Sequence, residues 1–199
     1  MHMLLFSGFL GSGKTSFIVP LSKAIVQSGR RVAIIVNEVG EIGIDNQLMR
    51  QLDLNVWELV AGCICCTLSG DLVATLQTLN SDYSLDLVVI EASGAADPNS
   101  ILGVLRYYKG RALTSVRTVT VVDPLRLGML IEVMTPLITS QIRHADLIIV
   151  SKTDLSTPDE VEFARRTAQE INPMARIVSA AVRGHLEGEL ISELLPWLN

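Results

Sequence analysis

Short blocks of apolar residues alternate with amphipathic segments along the whole chain. Short apolar blocks bounded by turn-forming residues are typical of strands buried on both faces of a parallel sheet. The predicted strands are Met3–Phe6, Val32–Val36, Val56–Val60, Leu87–Ile90, Val119–Val122, Leu147–Val150 and Arg176–Val178. Their alternation with helical segments predicts an α/β domain of three layers, with a mainly parallel sheet and right-handed crossovers.

Local sequence signals mark several helices. Thr157 is the predicted N-cap of a helix that starts at Pro158, because Glu160 completes a capping box. The buried positions of this helix are predicted to be Val161, Ala164, Ala168 and Ile171. A last helix is predicted to bury Leu186, Leu190 and Leu194 and to end at Pro196. Pro20 falls inside the first predicted helix, where it has no N–H to donate to Ser16, so we expect a kink or a loosened turn there.

The size and charge of the chain restrict its class. With 199 residues, we expect one domain over residues 1–199. No apolar block approaches the ~18 residues of a membrane span, and no basic, apolar leader precedes the first strand. The formal net charge is −5, without a long basic run. We therefore expect a cytoplasmic protein that has neither nucleic acid nor membrane as a partner.

A glycine-rich loop after the first predicted strand carries the strongest chemical signal. Residues Gly8–Thr15 fit the pattern G-x-x-x-x-G-K-[ST], whose backbone N–H groups wrap a phosphate at a helix N-terminus. Lys14 is predicted to reach the β- and γ-phosphates, and Thr15 to ligate Mg²⁺ through its hydroxyl. The predicted phosphate-binding residues are Gly11, Ser12, Gly13, Lys14, Thr15 and Ser16.

A carboxylate follows the apolar strand Leu87–Ile90. Glu91 at this position can hold Mg²⁺ or one of its waters, as acidic residues beside phosphate loops do. Gly94 can bring a backbone N–H close to a γ-phosphate. The alternative is that Glu91 is a solvated glutamate at a strand end.

Another candidate segment follows the strand Leu147–Val150. Asp154 can accept two N–H groups from a guanine edge, which adenine does not offer. The stem of Lys152 can cover the base while its ammonium meets carbonyls of the glycine-rich loop. Ser179 and Ala180 can supply a backbone N–H to the guanine carbonyl.

The three cysteines of the chain, Cys63, Cys65 and Cys66, lie within four positions. Thiolates bind zinc, cuprous copper and similar metals, and zinc usually takes four ligands. Glu38, Glu41, a water or a partner subunit are candidates for the missing ligand. The alternative is that the cysteines are small buried core residues.

Taken together, these motifs resemble the CobW/HypB/UreG family of GTPases, and most closely its CobW branch, which has a SIMIBI-type fold. The segments that carry the resemblance are Gly8–Ser16, Asn37–Asp45, Gly62–Cys66, Glu91–Gly94 and Ser151–Asp154. They occur in the order of the family and span nearly the whole chain.

The resemblance implies a GTPase that uses GTP, GDP and Mg²⁺. It would bind Zn²⁺ or another transition metal and deliver the metal, or a metal cofactor, to a client metalloprotein or cofactor-dependent enzyme. It also implies a nucleotide-dependent homodimer, and a switch segment on which Glu38 and Glu41 respond to the γ-phosphate. Glu38 or Asp45 is predicted to position the attacking water.

The sequence departs from the family in two respects. Ser151 stands where the guanine motif usually has Asn, so we expect GTP preference to survive through Asp154 with weaker discrimination. We also expect no C-terminal CobW-type domain.

Two other functions stay open: a GTP-gated docking protein for a corrinoid or other metalloenzyme, with a structural cysteine site, and a small-molecule kinase. The guanine motif and the segment Asn37–Asp45 argue against the kinase.

Overall fold

Seven parallel strands form one sheet in the part of the chain that the computed structural model describes, which is residues 1–36, 55–58, 68–110, 112–181, 192, 194 and 197. The strands are β1 (His2–Ser7), β2 (Val32–Val36), β3 (Asn55–Glu58), β4 (Leu87–Glu91), β5 (Ser115–Val122), β6 (Leu147–Val150) and β7 (Arg176–Ser179). The helices are α1 (Lys14–Gln27), α2 (Leu68–Asp82), α3 (Pro98–Val104), α4 (Pro124–Arg143) and α5 (Pro158–Ile171), and a 3₁₀ turn covers Leu105–Tyr107.

The strand order is β3-β2-β4-β1-β5-β6-β7. The chain builds outward from β1 in one direction and then reverses, so that β4 and β5 flank β1. In open parallel sheets, ligands bind at the carboxyl ends of the strands where the strand order reverses. The loop that follows β1 lies at this point.

Helices cover both faces of the sheet. On one face, Phe17 and Leu21 of α1 belong to the same buried cluster as Leu4 and Phe6 of β1, and this cluster also contains Leu194. On the other face, the buried residues of α2 join alternate residues of β1, and those of α4 and α5 join residues of β5 and β6. The prediction of a three-layer α/β domain is confirmed. Each helix in the described ranges is too short or too polar to cross a membrane.

The start of α5 follows the predicted capping box. The hydroxyl of Thr157 accepts a hydrogen bond from the N–H of Glu160 at 3.3 Å, and the carboxylate of Glu160 accepts one from the N–H of Thr157 at 2.7 Å. Along α5, Ala164 and Ala168 are buried and Val161 is partly buried, as predicted. Of the predicted last helix, Leu194 is helical and fully buried, whereas residues 186, 190 and 196 lie outside the described residues.

The effect of proline differs between two helices. α1 continues through Pro20 from Lys14 to Gln27, so this proline does not end the helix. The interruption lies in α4, where Met134 has φ −135° and ψ 37°, two residues before Pro136. Proline has no N–H and its ring crowds the preceding turn, which accounts for a break at this point.

Candidate functional site

The glycine-rich loop between β1 and α1 packs directly against the sheet. Gly8 has φ +130°, and a Cβ there would lie 2.3 Å from the carbonyl oxygen of Val121 in β5. A side chain at position 8 would therefore displace the loop from the strand. Gly13, which precedes α1, is also left-handed, with φ 99°. These two conformations direct the loop into the N-terminus of α1.

The Lys14 side chain is buried within the loop. Its ammonium lies 3.1 Å from the carbonyl oxygen of Gly8 and 3.4 Å from that of Phe9. Ser12 is buried as well, and Ser16 is exposed in the first turn of α1. The predicted phosphate-binding residues thus lie together around one loop at the carboxyl edge of the sheet.

Thr15 and Glu91 meet across the neighbouring strand end. The hydroxyl of Thr15 lies 2.7 Å from a carboxylate oxygen of Glu91, and Glu91 is buried at the end of β4. Hydroxyl and carboxylate oxygens are the hard ligands that Mg²⁺ takes in proteins. Both residues therefore fit a magnesium ion by their chemistry, and Glu91 is not the solvated residue of the alternative interpretation.

Gly94 lies against the loop from the other side. A Cβ at Gly94 would lie 2.3 Å from the backbone N of Leu10. The carbonyl oxygens of Gly94 and Ala96 each accept a hydrogen bond at 3.2 Å from the side-chain amide of Gln141, a buried residue of α4. The segment after β4 is therefore clamped between the loop and α4.

Ser151 connects the predicted base-binding segment to the loop. Its hydroxyl lies 2.8 Å from the carbonyl oxygen of Ser12 and 3.0 Å from that of Val122, and the residue is fully buried. A hydroxyl has one proton and donates to one of these acceptors at a time. Serine at this position thus still contacts the loop, as a shorter donor than asparagine.

Lys152 reaches the loop as well. Its ammonium lies 2.7 Å from the carbonyl oxygen of Gly11 and 2.7 Å from a carboxylate oxygen of Asp123. Lys152 has φ 53°, an unusual conformation for a residue with a side chain. Asp154 is exposed two residues later. This arrangement holds the side chain of Lys152 against the loop.

Ser179 and Ala180 lie at the end of β7. The N–H of Ala180 donates to the carbonyl of Val150 at 2.8 Å, so in this structure it is not available to a guanine carbonyl. The hydroxyl of Ser179 accepts a hydrogen bond from Arg165 at 2.8 Å.

Six predicted site residues lie outside the described residues. They are Glu38, Glu41, Asp45, Cys63, Cys65 and Cys66. Within the ranges that the structure describes, no group of three or more His, Cys, Asp or Glu side chains is placed to hold a metal ion. The cysteine hypothesis therefore stays a prediction.

Three residues at the site were not anticipated from the sequence: Asp123, Arg126 and Gln141. Asp123 is buried at the end of β5, accepts the N–H of Leu125 and pairs with Lys152. Its signal was present, because an acidic residue before a proline after an apolar strand is typical of an N-cap. Arg126 and Gln141 lie on α4 and have no comparable local pattern.

Comparison with known proteins identifies the family of this domain. The family model described as CobW/HypB/UreG, nucleotide-binding domain, matches residues 2–179. The chain belongs to the CobW/HypB/UreG family. This confirms the family resemblance inferred from the motifs.

Curated relatives of this CobW/HypB/UreG domain are named for zinc. The chain is 32% identical over 200 residues to zinc-regulated GTPase metalloprotein activator 1 of Schizosaccharomyces pombe, covering 95% of this chain and 47% of that protein. It is 31% identical over 188 residues to zinc chaperone YeiR of Escherichia coli, covering 94% and 57%. The chain thus spans about half the length of these relatives.

Solved structures confirm the fold. The hydrogenase maturation factor HypB from Archaeoglobus fulgidus matches with a TM-score of 0.71 at 18% identity, over 100% of this chain and 91% of that one. The Zn(II)-bound YjiA GTPase from E. coli matches with a TM-score of 0.63 at 22% identity, over 96% and 60%. The CobW/HypB/UreG domain therefore has the phosphate-loop α/β fold predicted from its sequence.

Proposed function

We propose that this chain is the GTP-binding and GTP-hydrolysing domain of a chaperone that carries zinc, or a similar transition metal, to a client metalloprotein. The observation that carries the proposal is the 2.7 Å contact of Thr15 with Glu91 at the phosphate loop. A hydroxyl and a carboxylate placed together there suit a nucleotide whose phosphates bring Mg²⁺. Relatives that are named zinc chaperones support the cargo.

The residues of the loop would bind the triphosphate. Backbone N–H groups of residues 11–16 and the N-terminus of α1 offer positive charge, and the Lys14 ammonium would turn from loop carbonyls to the β- and γ-phosphates. Thr15 and Glu91 would hold Mg²⁺, which when bound supplies charge that offsets the negative charge of the phosphates. Gly94 would offer its N–H to the γ-phosphate.

Guanine recognition would come from Asp154, with the stem of Lys152 against the base. The ion pair of Lys152 with Asp123, in which Asp123 is almost fully buried, supports a fixed orientation for this stem. Ser151 would keep this segment attached to the loop. Of Ser179 and Ala180 at the end of β7, Ser179 is the remaining candidate for a backbone contact with the base.

The cargo would be held by Cys63, Cys65 and Cys66, with Glu38 or Glu41 as a further ligand. Strand register supports a site near the nucleotide, because Val36, the last residue of β2, pairs with Glu91 on one side and Glu58 on the other. Cys63 comes five residues after Glu58. Five residues span at most about 17 Å, and β3 lies two strand spacings, or about 10 Å, from β4.

If the metal site lies near the nucleotide, the γ-phosphate and the metal can both act on the switch segment Asn37–Asp45. Val36, the residue before Asn37–Asp45, pairs with Glu91. A carboxylate of that segment, Glu38 or Asp45, would position the attacking water. A homodimer that forms with bound nucleotide would complete the metal ligand set. These roles rest on the family resemblance and on the strand register.

Two measurements on the purified protein test the proposal. Phosphate release should be faster from GTP than from ATP and should be lost in Lys14→Ala. Bound zinc, counted by elemental analysis after gel filtration, should be lost in Cys63→Ser while GTP hydrolysis and the circular dichroism spectrum persist. Three results would contradict the proposal. They are equal hydrolysis rates for GTP and ATP, retention of zinc in a Cys63→Ser, Cys65→Ser, Cys66→Ser triple variant, and collapse of the fold in Cys63→Ser. The last result would favour a structural cysteine site.

A further inference from the structure

Side chains contact five consecutive carbonyl oxygens of the phosphate loop. Lys14 contacts the carbonyls of Gly8 and Phe9, Arg126 that of Leu10, Lys152 that of Gly11, and Ser151 that of Ser12. The distances between donor and acceptor atoms lie between 2.7 and 3.4 Å.

This arrangement has a physical reason. A loop that turns successive N–H groups toward one anion must turn the carbonyls of the same peptides away from it. Each outward carbonyl needs a donor of its own, since a polar backbone group without a partner costs free energy. Donors on the outside of the loop, which are Arg126, Ser151 and Lys152, thereby fix the direction of the N–H groups on the inside. Lys14 is different, because its ammonium would leave the loop carbonyls for the phosphates.

Arg126 differs from the other three donors in its origin. Lys14 belongs to the phosphate motif and Ser151 and Lys152 to the guanine motif, whereas Arg126 lies in the first turn of α4. Its guanidinium donates to the carbonyl of Leu10 at 2.8 Å, and its carbon atom Cζ lies 5.4 Å from the ring centre of Phe9. One planar group thus contacts two adjacent loop residues, through a charge-assisted hydrogen bond and a cation–π contact.

We propose that Arg126 is a positioning residue for the phosphate loop, which holds the Phe9 and Leu10 peptides so that the loop N–H groups face the nucleotide phosphates. The helix that supplies it is itself anchored at the site. Asp123 caps α4 and pairs with Lys152, and Gln141 of the same helix holds the carbonyls of Gly94 and Ala96. α4 therefore supports the loop and the segment after β4 together.

The proposal rests on the proposed nucleotide function and predicts a selective loss. Arg126→Ala should weaken GDP binding by roughly three- to tenfold, as expected for loss of one charge-assisted hydrogen bond at a partly exposed group. The affinity for IDP, which lacks the exocyclic amine of guanine, should fall by the same factor. The ratio of the two affinities is set by the base and should stay unchanged, whereas Asp154→Asn should change it.

The test is a fluorescence titration with a labelled GDP, with unlabelled GDP and IDP as competitors, on the whole chain at 0.1 and 0.5 M salt. Arg126→Lys keeps the charge and a donor and should recover part of the affinity. Arg143→Ala removes an exposed arginine from the other end of α4 and serves as the matched control. The number of binding sites in each titration reports the folded fraction separately from the affinity.

Each outcome decides between the claims. Absence of GDP binding by the wild type would refute the proposed function itself. Wild-type GDP affinity in Arg126→Ala would refute only the positioning role. A loss that disappears at 0.5 M salt would identify Arg126 as a distant charge, because salt screens charges that lie farther apart than the Debye length, which is about 10 Å at 0.1 M and shorter at 0.5 M. A changed ratio of GDP to IDP affinity would place its effect at the base. A loss that disappears at high salt, or a changed ratio of the two affinities, would overturn the proposed positioning role of Arg126.

Discussion

Thr15 and Glu91 are 76 residues apart in the sequence, yet the hydroxyl of Thr15 lies 2.7 Å from the carboxylate of Glu91. The contact follows from the sheet. β1 and β4 are parallel neighbours with Phe6 opposite Glu91, so the loop after β1 and the end of β4 share one edge. A carboxylate and the hydroxyl that donates to it are thereby held together beside the proposed phosphate site.

Glu91→Gln tests the role of this pair. The amide keeps the size of the side chain and an oxygen that can accept from Thr15, but it removes the negative charge. We expect the GTP hydrolysis rate to fall by roughly a hundredfold and the Mg²⁺ concentration for half-maximal rate to rise. Phosphate release measured across a Mg²⁺ series checks this. Glu162→Gln, an exposed glutamate of α5, is the control, and an unchanged Mg²⁺ requirement in Glu91→Gln would refute the assignment.

Ser151→Ala tests the connection between the guanine motif and the loop. The variant removes a buried donor and leaves the carbonyl of Ser12 without it, so the free energy of unfolding should fall by about 1–3 kcal/mol. Urea unfolding measures the change. Ser81→Ala, whose hydroxyl is exposed at the end of α2, should change stability by less than about 0.5 kcal/mol. Equal effects of the two variants would contradict this account.

Gly94→Ala and Gly103→Ala form a matched pair. A Cβ at Gly94 would lie 2.3 Å from the backbone N of Leu10, whereas a Cβ at Gly103 in α3 meets no atom within 4 Å. We expect Gly94→Ala to destabilise the fold by about 1–3 kcal/mol and to weaken GTP binding. Gly103→Ala should stabilise it by about 0.5–1 kcal/mol. Thermal unfolding and GTP titration report both effects, and a harmless Gly94→Ala would show that the close approach is not required.

His2 gives a prediction for pH. Burial, then the N-terminal ammonium and Arg30, lower the pKa of His2 from its ordinary value of 6.5, while its Nδ1 lies 2.8 Å from the hydroxyl of Ser115. The folded state therefore favours the neutral ring. The stability that His2 contributes by staying neutral in the folded state is present above pH 6.5 and is lost as the pH falls through the lowered pKa. His2→Gln should lose less stability than the wild type between pH 7.5 and 5.5 in urea unfolding. An NMR-titrated pKa of His2 at or above 6.5 would contradict this.

Much of the sheet could be predicted from the sequence. β2 and β6 have the predicted bounds, because each is an apolar block that ends at polar residues. β5 begins at Ser115, four residues earlier than predicted. Three of its first four residues are polar, and this half forms by pairing with β1, with Ser115 opposite His2. A local hydrophobic pattern does not show which distant strands pair, so the strand order could not be predicted from the sequence either.

The site was predictable where a motif carries it and not where tertiary packing does. Lys14, Thr15 and Glu91 belong to recognisable segments and lie together as their motifs imply. Arg126 contacts the loop and Gln141 contacts the segment after β4 only because the tertiary packing of α4 brings them there. The hydrogen bond of the Ala180 N–H to Val150 was unpredictable for a related reason, since it extends the pairing of β7 with β6.

Coupling between nucleotide and metal is decided by isothermal titration calorimetry of zinc into the protein, with and without a non-hydrolysable GTP analogue. The account predicts that the two zinc dissociation constants differ by at least about fivefold, and that zinc changes the affinity for the analogue by the same factor. Cys63→Ser should weaken zinc binding in both titrations. Equal zinc dissociation constants with and without the analogue would contradict a GTP-controlled metal chaperone.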